Sequence, residues 1–245
     1  MEGTKITRKM LSLALSVFAI GCAGSDAQPT TPSNSEPRPL AIVAYAPGPS
    51  WDASKPPEEQ ALGPHLEYVR AEHSAGRLVA NGLMTTSPRG IYLLEGDTDA
   101  AEMFIDGDPA LSAGVLVHES TEAWHLTIDA LAADLSAGEL VFVLRYQPGS
   151  AWVEGKPLTE QAIASHLDYI ENAVAGGQVI AGGPINGGGS GGMYLIRAAD
   201  LAAAQRFTTA DPGVASALFA PRIDGWQAMT VPQSETRTSE RNMNE

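Results

Sequence analysis

The sequence predicts an α+β protein built from two tandem units, each with the βαββαβ order of a ferredoxin-like domain. The chain repeats itself at a spacing of 101 residues, so that Trp51 returns as Trp152 and His65 returns as His166. Each copy contains short apolar runs typical of strands and a helical segment that ends at a glycine. A repeat of this extent indicates a gene duplication. The order of elements within each copy indicates an antiparallel sheet with both helices on one face.

The elements follow the same order in both copies. Apolar, β-branched runs predict first strands at residues 40–45 and 140–146, and each strand leads into a Pro-Gly loop. A helix, a β-hairpin, a short helix and a closing strand follow. The ranges predicted for the later elements are 59–75 and 159–175 for the helix, 77–84 with 90–95 and 178–185 with 193–197 for the hairpin, and 97–105 and 199–207 for the short helix.

The chain begins with a segment that reads as an export signal. Basic residues at positions 5, 8 and 9 precede an apolar run at 11–20 that is too short to cross a bilayer as a helix. The run ends at Cys22, the single cysteine of the chain, in a context that resembles a bacterial lipobox. We therefore expect lipidation of Cys22 and a membrane-anchored protein of the cell envelope or periplasm. Ordinary signal cleavage nearby, which would leave a spare thiol, is the alternative.

Composition sets the size and the surface of the molecule. With 245 residues, 44% of them hydrophobic, the chain can bury a substantial core. The net charge of −14 repels phosphate backbones, so nucleic acid is not an expected partner. The predicted segments are 1–22, signal peptide with lipobox; 23–39, flexible linker; 40–128, first repeat; 129–138, linker; 139–231, second repeat; and 232–245, disordered tail.

Several short motifs recur at matching positions of the two copies. They are His166-Leu167, Gly177, Gly182-Gly183-Pro184, Asp211-Pro212 and Trp226 in the second copy, and His65-Leu66, Gly76, Gly82, Asp108-Pro109, Gly114 and Trp124 in the first. Together they resemble the YCII-related family of dimeric α+β barrels, over nearly all of residues 40–230. The resemblance implies two YCII-like repeats. Because members of the family pair two chains sheet to sheet, it also implies that the two copies form this barrel within one chain, as a monomeric pseudo-dimer.

The resemblance further implies a pocket that holds the helix histidine and the aspartate of Asp-Pro as an acid/base dyad. The candidate catalytic pairs are His65 with Asp108 and His166 with Asp211. A carboxylate bonded to one imidazole nitrogen fixes the tautomer and leaves the other nitrogen to move a proton. The second copy lies closer to the family pattern, and if only one site works we expect it to be that one.

Each member of the dyad also has a purely structural interpretation. Asp108 and Asp211 precede a proline and could simply cap short helices. Ile163, Leu167, Ile170 and Val174 lie at helical spacing and predict the buried face of the helix. His166 would lie about 60° from the centre of that face, where it could bond a backbone carbonyl instead of a substrate.

Aromatic residues near the histidine helix are the candidate pocket lining. Trp51 and Trp152 lie in the Pro-Gly loops, while Tyr45 and Tyr146 end the first strands. A tryptophan can cover a flat ligand, or it can simply fasten its loop to the body of the protein. Family members often carry an arginine one turn before the histidine, and this chain has Leu62 or Ile163 there. An anionic substrate in the usual pose is therefore disfavoured.

Other polar residues give weaker signals. His73 is expected to be structural, and His118 and His125 show no metal-ligand spacing, so no metal site is predicted. The glycine-rich run at 186–192 joins two strands, which favours a hairpin loop over a phosphate-binding loop. No cofactor motif is present. Two functions remain open: a cell-envelope isomerase or lyase acting on a small cyclic or aromatic compound, and a non-catalytic lipoprotein that binds a small ligand or a protein partner.

Overall fold

The two halves of the chain have the same order of elements. The computed structural model describes residues 37–131, 135–186 and 191–230. The first half contains β1 Arg38–Pro47, α1 Gly63–Ser74, β2 Leu78–Met84, β3 Gly90–Glu95, α2 Thr98–Gly107, α3 Pro109–Ser112, β4 Leu116–Leu126 and the short β5 Ile128–Asp129. The second contains β6 Leu140–Pro148, α4 Ala164–Ala175, β7 Val179–Pro184, β8 Gly192–Ile196, α5 Leu201–Ala210, α6 Pro212–Ala215 and β9 Phe219–Thr230.

The strands form one antiparallel sheet of nine strands in the order β4-β1-β3-β2-β9-β6-β8-β7-β5. Each half contributes four neighbouring strands, and β2 of the first half pairs with β9 of the second. At the other end Ile128 of β5 pairs with Gly182 of β7, and Trp124 of β4 forms a bridge to Ile185. Because β5 directly continues β4, these contacts close the sheet into a barrel. The predicted fold, two ferredoxin-like units packed as an intramolecular dimeric α+β barrel, is confirmed.

Alternation along the strands separates the barrel interior from the layers beneath the helices. Ile42 faces the interior, while its neighbours Ala41 and Val43 pack beneath the helices of the first half. Trp124 and Trp226 are fully buried inside the barrel. Successive side chains of a strand point to opposite faces of the sheet, so each strand packs into the barrel interior on one face and beneath the helices on the other.

The histidine-bearing helices begin later than the sequence indicated. Residues 57–59 and 158–160 form separate 3₁₀ turns, and α1 and α4 begin only at Gly63 and Ala164. Between turn and helix, Gln60 and Gln161 are extended, and their side-chain amides bond carbonyls of the preceding loops. The amide contacts hold each loop, and the extended backbone at both glutamines separates the turn from the helix. Strand β1, in contrast, begins earlier than predicted, at Arg38, which lies inside the predicted 23–39 linker.

The buried face of α4 differs from the predicted one. Leu167 and Val174 are 45% and 37% exposed, whereas His166, Ile170 and Ala173 are buried. Ile170 is buried as predicted, but Leu167 lines a cavity instead of packing on the sheet. The histidine therefore lies on the buried face itself.

The predicted signal peptide, Cys22, the disordered tail and part of the glycine-rich run lie outside the described residues. All described residues belong to one compact unit. In the described part of the chain, no helix combines the length and the apolar character that a membrane crossing requires.

Candidate functional site

The first unit brings His65 and Asp108 together. His65 lies in the first turn of α1, and Asp108 lies between α2 and α3. Nδ1 of His65 is 3.0 Å from Oδ1 and 2.9 Å from Oδ2 of Asp108, and both residues are buried. A buried carboxylate without a hydrogen-bonding partner destabilises the folded state. The contact with His65 therefore matters for the stability of the protein.

The second unit repeats the pair with one further contact. Nδ1 of His166 lies 2.7 Å from Oδ2 of Asp211. The hydroxyl of Tyr146 donates to the same oxygen at 2.6 Å. In the first unit the corresponding hydroxyl, that of Tyr45, is buried without a hydrogen-bond partner among the described residues.

Both aspartates also cap short helices. Oδ1 of Asp108 accepts from the backbone N–H of Ala110 at 2.9 Å, and Oδ1 of Asp211 accepts from that of Gly213 at 2.8 Å. The proline at the first helical position has no N–H, so the next residue is the first that can donate. The capping role and the contact with histidine therefore coexist in the same carboxylate.

A tyrosine occupies the other ring nitrogen of each histidine. Nε2 of His65 lies 2.9 Å from the hydroxyl of Tyr92, and Nε2 of His166 lies 3.3 Å from that of Tyr194. Because Nδ1 must donate to the carboxylate, Nε2 accepts from the tyrosine. The result is an Asp–His–Tyr chain in each unit. Sequence reasoning did not assign these tyrosines to the site, although Tyr92 and Tyr194 match in the repeat.

The buried tyrosines keep their protons at neutral pH. Burial, and secondly the charge of Asp108, raise the pKa of Tyr92 above its ordinary value near 10. Burial and the charge of Asp211 act in the same way on the pKa of Tyr194. Desolvation also raises the pKa of Tyr45 and of Tyr146, each beside its aspartate. Each tyrosine is therefore a hydrogen-bond donor and not a phenolate.

A cavity of about 500 Å³ adjoins the chain of the first unit. Its wall includes His65, Tyr92, Tyr45, Trp51 and Asn81, together with Met229 from β9 of the second unit. The predicted pocket residues Tyr45 and Trp51 are thus in place. Since Met229 comes from the other half, the pairing of β2 with β9 helps to complete the cavity.

The second unit has a smaller cavity, of about 210 Å³. His166, Tyr146 and Tyr194 line it, together with Thr127 from the segment between β4 and β5. Trp152 is not among the described residues of its wall. Its ring packs against Phe219, which does line the cavity, at 6.0 Å between centroids.

The remaining histidines have other surroundings. Nδ1 of His73 bonds the carbonyl of Leu78 at 3.0 Å, and Nε2 of His118 lies 2.9 Å from Oγ1 of Thr121. Within the described ranges, no three His, Cys, Asp or Glu side chains are grouped as metal ligands.

Solved structures of other proteins share the fold at low sequence identity. A protein of Fusobacterium nucleatum, provisionally assigned as a monooxygenase, has 10% identity and a TM-score of 0.53, over 81% of this chain and 95% of its own. A haem-binding protein of Thermus thermophilus has 12% identity and a TM-score of 0.51, over 80% and 92%. A chlorite dismutase mutant of Candidatus Nitrospira defluvii has 9% identity and a TM-score of 0.51, over 78% and 91%.

Sequence comparisons add two findings. The chain has no match among curated proteins. Residues 139–223, which span β6 to the middle of β9 and hold the His166–Asp211 pair, match the family model described as the YCII-related domain.

Proposed function

We propose that this chain is an exported, lipid-anchored protein of two YCII-like copies that binds a small organic molecule and moves a proton on it. The observation that carries the proposal is the buried Asp–His–Tyr chain that ends at the wall of a cavity. It occurs in both units, with His65 and His166 as the central members.

The proposed proton path runs through the tyrosine. When the oxygen of Tyr92 accepts a proton from a substrate O–H or C–H, the phenolic proton moves to Nε2 of His65. The resulting imidazolium stays bonded through Nδ1 to Asp108, whose charge stabilises it. In the reverse direction the imidazolium returns its proton to the tyrosine, and the tyrosine delivers one to the substrate. Such a sequence suits an isomerase or lyase step, because the chain of groups ends in its starting state.

The cavity walls favour an uncharged, flat substrate. No Lys or Arg is among the described residues that line either cavity. Leu62 and Ile163, which stand where family members often carry arginine, line the first and the second cavity respectively. The rings of Tyr45, Trp51 and Tyr92 give the first cavity an aromatic wall. A small cyclic or aromatic compound matches these surroundings.

The haem of the Thermus thermophilus protein does not fit this site. Iron would require a free ring nitrogen, yet each site histidine has Nδ1 on an aspartate and Nε2 on a tyrosine. No step of the proposed chemistry runs through haem.

A non-catalytic binding protein is the second candidate. It is favoured by the burial of both histidines and by the internal hydrogen bonds that occupy both ring nitrogens. In that case the Asp–His–Tyr chain would only shape the cavity wall.

Hydrogen exchange between solvent and ligand separates the two candidates. A panel of small cyclic ketones and phenols is incubated with the protein in deuterated buffer, and loss of substrate C–H signals is followed by NMR. We expect exchange that falls roughly 10²- to 10⁴-fold in the His65→Gln, His166→Gln double variant. His73→Gln, which alters a histidine outside both cavities, is the matched control. Binding without exchange would leave only the second candidate.

The lipid anchor has its own test. In the native host, Cys22→Ser is expected to abolish incorporation of labelled fatty acid and to release the protein from the membrane fraction. Unchanged labelling would contradict the anchor. The single-chain barrel also supports the proposal that the protein is a monomer, and sedimentation equilibrium at the mass of one chain is the expected result.

A further inference from the structure

Two side chains in the wall of the first cavity have a buried polar atom without a partner among the described residues, Tyr45 through its hydroxyl and Asn81 through Oδ1. Asn81 lies on β2, is only 4% exposed, and lines the cavity of about 500 Å³. Its Oδ1 is buried and makes no hydrogen bond to any described residue. Buried polar atoms are nearly always bonded in native proteins, so an atom of this kind indicates a missing partner.

The unpaired amide lies beside the reactive end of the Asp–His–Tyr chain. Asn81 is directly opposite Tyr92 in the β2–β3 ladder. Side chains of directly opposed residues lie on the same face of the sheet, about 5 Å apart at Cβ. A ligand group bound at Asn81 would therefore hold the rest of the ligand alongside the Tyr92 ring.

The second unit has no equivalent group. Gly182 stands opposite Tyr194, and a Cβ built on Gly182 would lie 2.2 Å from Cδ1 of Tyr194. The Tyr194 ring thus covers the position that a side chain would need. In the first unit Tyr92 leans instead over Gly90, where a Cβ would lie 2.9 Å from its Cε2. The cavity beside Tyr92 is the larger of the two.

The ligand that fits this position can be described by its chemistry. Oδ1 of Asn81 accepts, so the ligand must present an O–H or N–H donor. The charged residue of the cavity wall is Glu58, which is exposed and would disfavour an anion. The aromatic side chains around the cavity favour a flat, apolar body.

From these observations we infer that the first cavity is the selective ligand site of the protein. It takes an uncharged aromatic or cyclic molecule with one hydroxyl or N–H donor bonded to Asn81, and the second cavity does not take it. Asn81 is then a specificity-determining residue. The inference rests on the proposed small-molecule cavity but does not require that the histidines transfer a proton.

Phenol and its methyl ether, anisole, form a matched pair of probes, because they share the ring and differ in the donor. Binding to the full chain is measured by titration calorimetry, and the location by chemical-shift changes of the Asn81 and Gly182 backbone amides. We expect phenol to bind at least about tenfold more tightly than anisole, with the shifts confined to the first cavity.

Substitution of Asn81 tests the cause of that preference. Asn81→Leu keeps a similar volume without the amide, and Asn81→Gly reproduces the residue of the second unit. Either variant should lose the preference for phenol while it retains the affinity for anisole. The melting temperature of Asn81→Leu should stay the same or rise, since a buried unpaired amide is removed. A residue with a merely structural role would lower it.

Several outcomes would overturn the inference. Phenol and anisole could bind equally, or the preference for phenol could survive in both Asn81 variants. The chemical-shift changes could centre on Gly182 instead of Asn81. Neither probe could bind, which would leave the Asn81 amide satisfied by a bound water only. A failure of the proposed chemistry looks different. In that case the phenol preference and its dependence on Asn81 persist, but no solvent deuterium enters any ligand.

Discussion

The hydroxyl of Tyr146 lies 2.6 Å from Oδ2 of Asp211, and the matching pair in the first unit, Tyr45 and Asp108, lacks this hydrogen bond. Both tyrosines are buried at the same position of the repeat. The duplication has therefore produced two sites with the same residues and different bonding. A carboxylate that accepts from a histidine, a tyrosine and a backbone N–H is held more firmly than one that lacks the tyrosine.

The difference predicts opposite results for one substitution at the two positions. Tyr146→Phe removes a hydrogen bond to a charged group, so the free energy of unfolding should fall by roughly 1.5–3 kcal/mol. Tyr45→Phe removes a hydroxyl without a partner and should change that free energy by less than about 0.5 kcal/mol. Urea denaturation of both variants checks the prediction. Equal losses would contradict the difference between the sites.

Replacement of either aspartate should lower the free energy of unfolding more than replacement of an ordinary helix cap does. Asp211→Ala leaves His166 and Tyr146 without their acceptor and also removes the cap of α6, so we expect a loss of about 3–5 kcal/mol. Asp200 caps α5 through a bond from the backbone N–H of Ala203 and has no histidine partner. Asp200→Ala is the matched control, with an expected loss of about 1 kcal/mol. The two losses are compared by urea denaturation.

Replacement of Asp211 by asparagine also has a spectroscopic signature. We expect the Nδ1–H of His166, bonded to the buried Asp211, to give a slowly exchanging downfield proton signal in the NMR spectrum. In Asp211→Asn the carboxylate acceptor is lost, and this signal should disappear. Asp200→Asn should leave that signal in place. If the signal survives in Asp211→Asn, the contact between His166 and Asp211 is not the one that protects this proton.

The resemblance to the YCII-related family predicted the dyad, and the duplication repeats both of its members. His65 and His166, like Asp108 and Asp211, recur at matching positions of the two copies. Tyr92 also recurs as Tyr194, but a tyrosine on a strand is usual in a core. Only the packing of the histidine-bearing helix on the sheet shows that the tyrosine hydroxyl meets the histidine.

The asymmetry between the copies could not be predicted in the same way. The substitution of Asn81 by Gly182 is visible in the aligned repeats, yet its effect depends on the direction in which Tyr92 and Tyr194 lean. The face of α4 was also misjudged, because apolar periodicity does not distinguish a core contact from a cavity wall such as that formed by Leu167. Such features depend on packing between distant segments.

The tyrosines make the protein sensitive to high pH. Burial comes first among the causes that raise the pKa of every tyrosine in the chain, and the pKa of the partly buried Tyr68 rises to about 12. The others with raised pKa values are Tyr45, Tyr92, Tyr146, Tyr169 and Tyr194. A folded protein that keeps protons which the unfolded chain loses near pH 10 becomes less stable as the pH rises above that value.

Absorbance at 295 nm measures phenolate formation and checks this prediction. In native buffer we expect little ionisation at pH 10, whereas the chain unfolded in urea should titrate near 10. Tyr92→Phe and Tyr194→Phe should each reduce the loss of stability above pH 10. Native tyrosines that titrate near 10 would contradict their burial.

Closure of the barrel depends on two glycines at the junctions between the units. A Cβ on Gly183 of β7 would lie 1.9 Å from the carbonyl oxygen of His125, and one on Gly82 of β2 would lie 2.2 Å from that of Gln227. In both cases the close neighbour is backbone of a strand of the other half, β4 for Gly183 and β9 for Gly82, so it cannot move away without loosening the junction. The repeat preserves both glycines, and this contact explains why neither position has room for a side chain.

Gly183→Ala should therefore separate β7 from the β4–β5 segment. The displaced backbone would also weaken the hydrogen bond that Nε1 of Trp124 donates to the carbonyl of Gly183 at 3.2 Å. We expect the free energy of unfolding to fall by about 3 kcal/mol or more, with faster amide exchange of Thr127. Gly176→Ala is the control, because a Cβ there has its nearest contact at 3.5 Å and the first unit carries Ala75 at this position. It should leave stability unchanged or raise it by up to about 1 kcal/mol. If both variants behave alike, the tight junction between β4 and β7 does not hold the barrel closed.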